Sequence, residues 1–299
     1  NSGFKVTVIA NASATKRKVK RYCEEIDVIY IDYYSFKGFP LFNWKNVHKI
    51  GNGFTPHVIH VHNIQLFPYA LFSAKILRVP LIFDDHEIWT NLILVSHINI
   101  ILKGFALIFS FLVELVASFF SDKIIVTVEE AKDFFSKLFL TDPTKITVLE
   151  NFESLQRLKN IKPIRDSKLR DMFLVCYLGG VEEYRNLDEL TKSVDFLSDL
   201  KDVTILIIGG HPAYGKSIKK AKKKLDQLDF NSRVIWTGWL PFDKAMSYVN
   251  ASHITLLLHD PNIFTNNTLP NKISQYLFFG KPTITTPLKP ILRIFGDCV

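Results

Sequence analysis

The sequence predicts an α/β protein made of two doubly wound, Rossmann-like parallel-sheet domains. Three observations carry that prediction. Eleven short runs rich in Val, Ile and Phe recur along the chain. Most of them are continuously apolar rather than alternating, as strands buried on both faces of a parallel sheet must be. Helix-patterned segments separate them, and strand–helix alternation is the signature of crossover connections.

In chain order, the first six runs are Phe4–Ala10, Asp27–Asp32, Val58–His62, Pro80–His86, Lys123–Val128 and Lys145–Glu150. The next five are Phe173–Gly180, Val203–Gly210, Arg233–Trp239, His253–His259 and Pro282–Pro287. Asn186–Asp199, Ser217–Leu228 and Asn271–Phe279 have helical pattern. The alternation pauses at Glu153–Asp171, which is charged and lacks a sustained apolar face. The expected organisation is therefore a domain over 1–155, a linker over 156–170 and a second domain over 171–299. Phe105–Phe120 carries only Glu114 as a charge and, at sixteen residues, is shorter than the ~20 a spanning helix needs. It is expected to be a buried helix or one resting on a membrane surface.

Composition narrows the class. The chain has 299 residues, 47% hydrophobic and 22% charged, which excludes a disordered protein. Cys23, Cys176 and Cys298 are too far apart for a disulfide framework or a paired-Cys zinc site, and a reducing, cytoplasmic compartment is expected. A net charge of +8 without a recognised module argues against a nucleic-acid partner. The runs Lys16–Arg21 and Lys219–Lys224 read as solvated faces, the first with some attraction to anionic lipid. The chain starts at Asn1 with no leader and stops soon after a strand, so both ends read as cut from a longer protein.

Ligands of open α/β sheets bind beyond the carboxyl ends of the strands, so polar residues there are the first candidates. His60, His62 and Asn63 end one strand, and Asp84, Asp85, His86 and Glu87 end the next. The two histidines share a strand face, but no further ligand stands at a diagnostic spacing, and a cleft-lining role is expected rather than a metal. His86 among three carboxylates suits proton handling or a hydroxyl-rich ligand; a capped turn is the simpler alternative. Gly179-Gly180 and Gly209-Gly210 follow apolar strands, where backbone N–H groups can face an anion, and Arg185 stands five residues beyond the first pair. In the stretch from Thr268 to Pro282, a helix opening at Pro270 or Asn271 would offer its N-terminus and Lys272 to a phosphate. A ribose would then lie beside Gln275.

These residues fall in an order that resembles a GT-B glycosyltransferase of the retaining, family-4-like group. HVHN (60–63) resembles the family's HxHD element, FDDHE (83–87) its YDxHE element, and DKIIVTVEEA (122–131) the segment usually written aD-x-vitvS. VLENF (148–152), YLGG with Arg185, Asn186 and Leu187, and PNKISQYLFFGKP (270–282) resemble the remaining three. The resemblance implies two domains facing across a cleft and sugar transfer from a nucleotide-diphosphate sugar to a glycan or lipid-linked acceptor. The expected setting is cell-surface polysaccharide or glycoconjugate synthesis, cytoplasmic or peripheral on the cytoplasmic face of an anionic membrane.

It implies Arg185 and Lys272 on the diphosphate and His86 on the transferred sugar, with Glu87 beside it. Gly179, Gly180 and Gly210 would lie along the donor, as would Asn267, Thr268, Leu269, Asn271 and Gln275. His60, His62, Asn63 and Asp85 would line the acceptor side. No cofactor and no metal are expected, and no Asp-x-Asp occurs. The family's paired Glu are Asn267 and Gln275 here, so Gln275→Glu is expected to preserve donor binding. Two rivals remain: a sugar-nucleotide 2-epimerase, and a non-catalytic sugar-nucleotide-binding subunit.

Overall fold

The computed structural model describes residues 6–11, 26–31, 33–36, 39–42, 56–166, 169, 171–193, 200, 202–210, 219, 223 and 233–296. Lys16–Arg21 and most of Ser217–Leu228 lie outside them. Contacts divide the chain into two compact units, one formed by Asn1–Phe83 with Phe120–Asp122, the other by Asp84–Phe119 with Lys123–Val299.

In the first unit, β1 (Val6–Asn11) pairs in parallel with β2 (Ile26–Ile31). β3 (Tyr33–Phe36) and β4 (Phe39–Phe42) form an antiparallel hairpin that the sequence reading did not foresee. Both strands are four residues long, too short for a period to register. β5 (Ile59–Val61) pairs in parallel with β6 (Leu81–Asp85) through α1 (Phe67–Leu77), a right-length crossover. Phe67 from the helix meets Phe83 from the strand edge-on at 5.1 Å, and both are fully buried.

The second unit continues with α2 (Trp89–Val95), α3 (Ile100–Phe120), β7 (Lys123–Val126), α4 (Glu129–Leu138) and β8 (Ile146–Val148). β7 and β8 are parallel, with Ile124 opposite Ile146. After α5 (Leu155–Leu158) comes β9 (Phe173–Leu178), then α6 (Leu187–Ser193) and β10 (Val203–Ile208). β11 (Val234–Gly238), α7 (Phe242–Ala251), β12 (Ile254–Leu257), α8 (Lys272–Phe278), β13 (Thr283–Thr285) and α9 (Lys289–Phe295) complete the described elements.

β9 to β13 form one parallel sheet in the order β11-β10-β9-β12-β13. The first three strands run outward in one direction and the last two in the other. The order reverses between β9 and β12, where the loops leaving the two strands diverge and open a crevice. The unbroken apolar runs have the expected cause: from Thr204 to Ile208 every residue is buried, with Tyr177, Leu187, Leu190, Ile205, Ile207 and Leu256 forming a core under the sheet.

The structure corrects the reading of the apolar helix. α3 begins at Ile100 and has 21 residues, about 31 Å of helix, so length no longer argues against spanning. The signal was missed because Lys103 and Gly104 interrupt the apolar run without interrupting the helix. One face is tied to the unit by polar contacts: Glu114 is fully buried and accepts from the Thr90 N–H at 3.2 Å and the Thr90 hydroxyl at 2.5 Å. Burial raises the Glu114 carboxyl to about 7, against the opposing pull of the Thr90 hydrogen bonds. Its folded pKa lies above its unfolded one, so the folded protein holds the extra proton, and this contribution to stability is lost as pH rises through about 7. Compared with wild type, Glu114→Gln is expected to flatten the fall in melting temperature between pH 5 and 8. Parallel melting curves for the two proteins would overturn this assignment.

Candidate functional site

The loops that leave β9 and β12 at the crevice of the sheet bound a cavity of about 250 Å³ that lies within the second unit. β9 ends at Leu178 and the chain turns through Gly179 and Gly180 into a 3-10 turn, Glu183–Arg185. The Arg185 N–H donates to the Glu182 carbonyl at 2.9 Å, which sets the turn and aims the guanidinium back at the strand ends. From β12, His259 lines the cavity. The Thr265–Asn267 turn and the segment up to Lys272 close it through Phe264, Thr268, Leu269, Pro270 and Asn271. His86 and Glu87, after β6, line it too, as do Thr127 and Asn151.

The four residues expected to do chemistry, His86, Glu87, Arg185 and Lys272, thus meet in one cavity. Thr268, Leu269 and Asn271 join them. Gly179 lies against the Lys272 ammonium, close enough that a Cβ there would overlap it. Gly210, Asn267, Asp85 and Gln275 are not among the lining residues. Asn267 donates to the Ile263 carbonyl at 2.7 Å, and Asp85 is buried with one carboxylate oxygen unpartnered. His60 and His62 belong to the first unit, where their rings stack at 4.3 Å; Asn63 accepts the Gln65 N–H at 2.7 Å.

Gln275 is buried on α8 and donates from Nε2 to the Glu153 carboxylate at 3.1 Å. Whatever a carboxylate here does for the donor, it also meets Glu153. Gln275→Glu removes a donor and sets two carboxylates together, and is expected to cost about 1–3 kcal/mol of stability at neutral pH, recovered in acid. A melting temperature equal to wild type at pH 7 would show that the pair separates at no cost.

The electrostatics of the cavity follow from partial burial of like charges. Burial pushes the Lys272 ammonium well below its usual range and the neighbouring Arg185 adds to this, while Glu182 pulls the other way. His259 is 7% exposed, and its Nδ1 is buried without a hydrogen-bond partner. Burial, then Lys272 and Arg185, lower its imidazole to about 3, so it is neutral at physiological pH. Glu87 is raised by burial, against Arg185 and His86, which lower it. His86 Nε2 stands 3.4 Å from the Asp84 carboxylate. The helix N-terminus contributes less than the sequence suggested: α8 has seven residues and starts at Lys272, so its dipole is small and side-chain charge dominates.

Sequence reasoning missed Tyr184, His259, Phe264, Thr127 and Asn151. His259 closes a run that was recognised as a strand, so the strand-end rule could have found it. Tyr184 carried no signal of its own; its ring meets those of His259 and Phe264 edge-on at 5.7 and 5.3 Å.

The family profile described as Glycosyltransferase Family 4 matches residues 1–157, and that of glycosyl transferases group 1 matches 173–297. The chain belongs to glycosyltransferase family 4. A relative of this family-4 chain, an uncharacterised glycosyltransferase of Methanocaldococcus jannaschii, is 25% identical over 173 residues, 56% of this chain. The match spans only 41% of that relative's length. Among solved structures, Anabaena HepE in complex with UDP is similar at a TM-score of 0.69 and 14% identity, over 97% of this chain and 82% of that one. The same protein with UDP and glucose gives 0.67 and 16%, over 90% and 70%. A sucrose-phosphate synthase of Thermosynechococcus elongatus gives 0.69 and 12%, over 97% and 73%. The shared architecture is the GT-B fold, two Rossmann-like parallel-sheet domains.

Proposed function

We propose that this family-4 chain transfers a glycosyl group from a nucleoside-diphosphate sugar to a glycan or lipid-linked acceptor, with retention of configuration and without a metal ion. The observation that carries the reading is the convergence of Arg185 and Lys272 on one partly buried cavity at the crevice of the parallel sheet. Breaking the bond between the anomeric carbon and the phosphate oxygen leaves negative charge on the departing diphosphate. The Arg185 guanidinium meets that charge in a region of reduced dielectric, where electrostatic catalysis is strongest. Lys272 stands beside it, where the arriving anion offsets the burial that opposes its charge. His86 and Glu87 line the same cavity and offer hydrogen bonds to sugar hydroxyls. The solved relatives that hold UDP, or UDP and glucose, support a nucleotide sugar as the ligand class. A thermal-shift series with UDP, GDP and their sugars tests the reading. Stabilisation by at least one diphosphate, and product formed after dialysis against EDTA, are expected. No shift with any diphosphate would sink it.

The proposed setting is synthesis of a surface polysaccharide or glycoconjugate at the cytoplasmic face of a membrane, with α3 as the contact. Ile101, Phe105, Ile108 and Leu112 recur at helical spacing and are 50–70% exposed, while the opposite face is anchored through Glu114 and Thr90. A helix so divided lies along a lipid surface more readily than it crosses one, because crossing would strip Glu114 of its partners. Co-sedimentation with anionic vesicles is expected, with the share contributed by the basic run Lys16–Arg21 weakening as salt rises. Absence of binding at low salt would remove the membrane from the proposal.

A further inference from the structure

The turn after β9 holds a second charge that the proposed transfer does not use. Glu182 stands between Gly180 and Arg185, and its carboxylate folds back onto the turn. Its Oε2 lies 2.5 Å from Arg185 Nε, and a Cβ on Gly180 would overlap the carboxylate. The two side chains are 27% and 20% exposed, so the pair is partly desolvated. Yet neither Glu182 Oε2 nor Arg185 Nε makes a directed hydrogen bond, so the contact is one of charge without alignment. The carboxylate thus holds, at Nε, the same guanidinium whose Nη1 lies beside Gly179 and Lys272.

We infer that Glu182 is a resident counter-ion of the diphosphate cradle, holding Arg185 in the free protein and yielding it when the donor binds. The inference rests on the reading that this cavity takes a nucleoside diphosphate. Its physical sense is a competition between anions. An empty cradle with Arg185 and Lys272 side by side would bury two like charges, and Glu182 offsets them. Glu87, His86, His259 and Tyr184 line the cavity with Arg185; Glu182 is not among the lining residues and acts on it through its ion-pair contact with Arg185. An arriving anion competes with the carboxylate for Arg185, so its apparent affinity scales with the fraction of protein in which Arg185 is released. A single phosphate gains one set of contacts against that cost. A diphosphate reaches Lys272 as well and pays the same cost from a larger gain. Glu182 would thus weaken every anion that needs Arg185 by one common factor, and its return to Arg185 would help expel the nucleoside diphosphate after transfer.

Calorimetry with inorganic pyrophosphate and inorganic phosphate, which carry no base, tests the counter-ion role on the full chain. Glu182→Gln keeps the shape and removes the charge. It is expected to tighten pyrophosphate about tenfold and phosphate by a similar factor, so that the preference between them is unchanged. Glu182→Asp keeps the charge but shortens its reach to Arg185, and is expected to give a smaller tightening; it serves if the first variant fails to fold. Unchanged or weaker pyrophosphate binding in a folded variant, with wild type still binding, overturns the counter-ion role and leaves the diphosphate reading standing. No binding of pyrophosphate by wild type or by either variant overturns both.

Discussion

Arg185→Ala is expected to weaken nucleoside diphosphate binding by about 1.5–3 kcal/mol, some 10- to 150-fold, the worth of a charge-assisted hydrogen bond. The guanidinium is positioned from three sides. The Glu182 carbonyl holds its backbone, the Tyr184 hydroxyl accepts from its Nη2 at 3.2 Å, and the Glu182 carboxylate touches Nε. Truncation leaves Lys272 as the nearby lysine or arginine in the cavity, and Lys272 is the group whose charge burial opposes. The substitution also leaves Glu182 without its Arg185 partner, adding an uncompensated carboxylate beside the cavity. The double variant Arg185→Ala/Glu182→Gln separates these two losses, since only the second is relieved by removing the carboxylate. Calorimetry with UDP and GDP reads the effect. Affinity equal to wild type in the single variant would move the diphosphate elsewhere.

Gly209→Ala is expected to destabilise the protein by about 3–5 kcal/mol, the largest effect of any single methyl considered, although Gly209 is not among the lining residues. β10 delivers Gly209 beside the end of β9, where the Gly179 N–H donates to the Ile208 carbonyl at 2.8 Å. On the other side the Gly209 N–H donates to the Gly238 carbonyl at 3.0 Å. Three strand ends are thereby stitched together by backbone alone. Gly209 has φ +142°, a conformation that L side chains seldom adopt, and a Cβ there would overlap the Gly179 carbonyl. Backbone cannot give way as a flexible side chain can, so either β9 or β10 must move. That movement shifts the turn that carries Arg185. Thermal unfolding of the variant, with UDP or GDP affinity measured below the transition, is expected to show both losses together. A melting temperature within a degree or two of wild type would show that the strand ends separate freely.

Strand positions in this protein are written in local chemistry. A parallel strand covered on both faces needs apolar residues at every position, and β10 carries them from Ile205 to Ile208 wherever it is read. The strand-end rule, which is also local, locates His86, Glu87 and the glycine turn before Arg185, and the helix-start pattern locates Lys272. What sequence order could not decide is which turns meet. Lys272 stands 87 residues after Arg185, and the strand order that joins β12 to β9 brings them to one cavity. Gln275, three residues from Lys272, was assigned to the ribose on spacing along one helix. The fold gave it Glu153, 122 positions away, as a partner. The same holds for charge. Lys272 and His259 carry no sign of it in sequence, and the direction in which burial shifts them follows only from the fold. Apolar pattern depends on near neighbours along the chain, and sequence alone determined the elements and their class. Pairing, desolvation and the displacement of one anion by another depend on distances through space, and tertiary structure alone decided them.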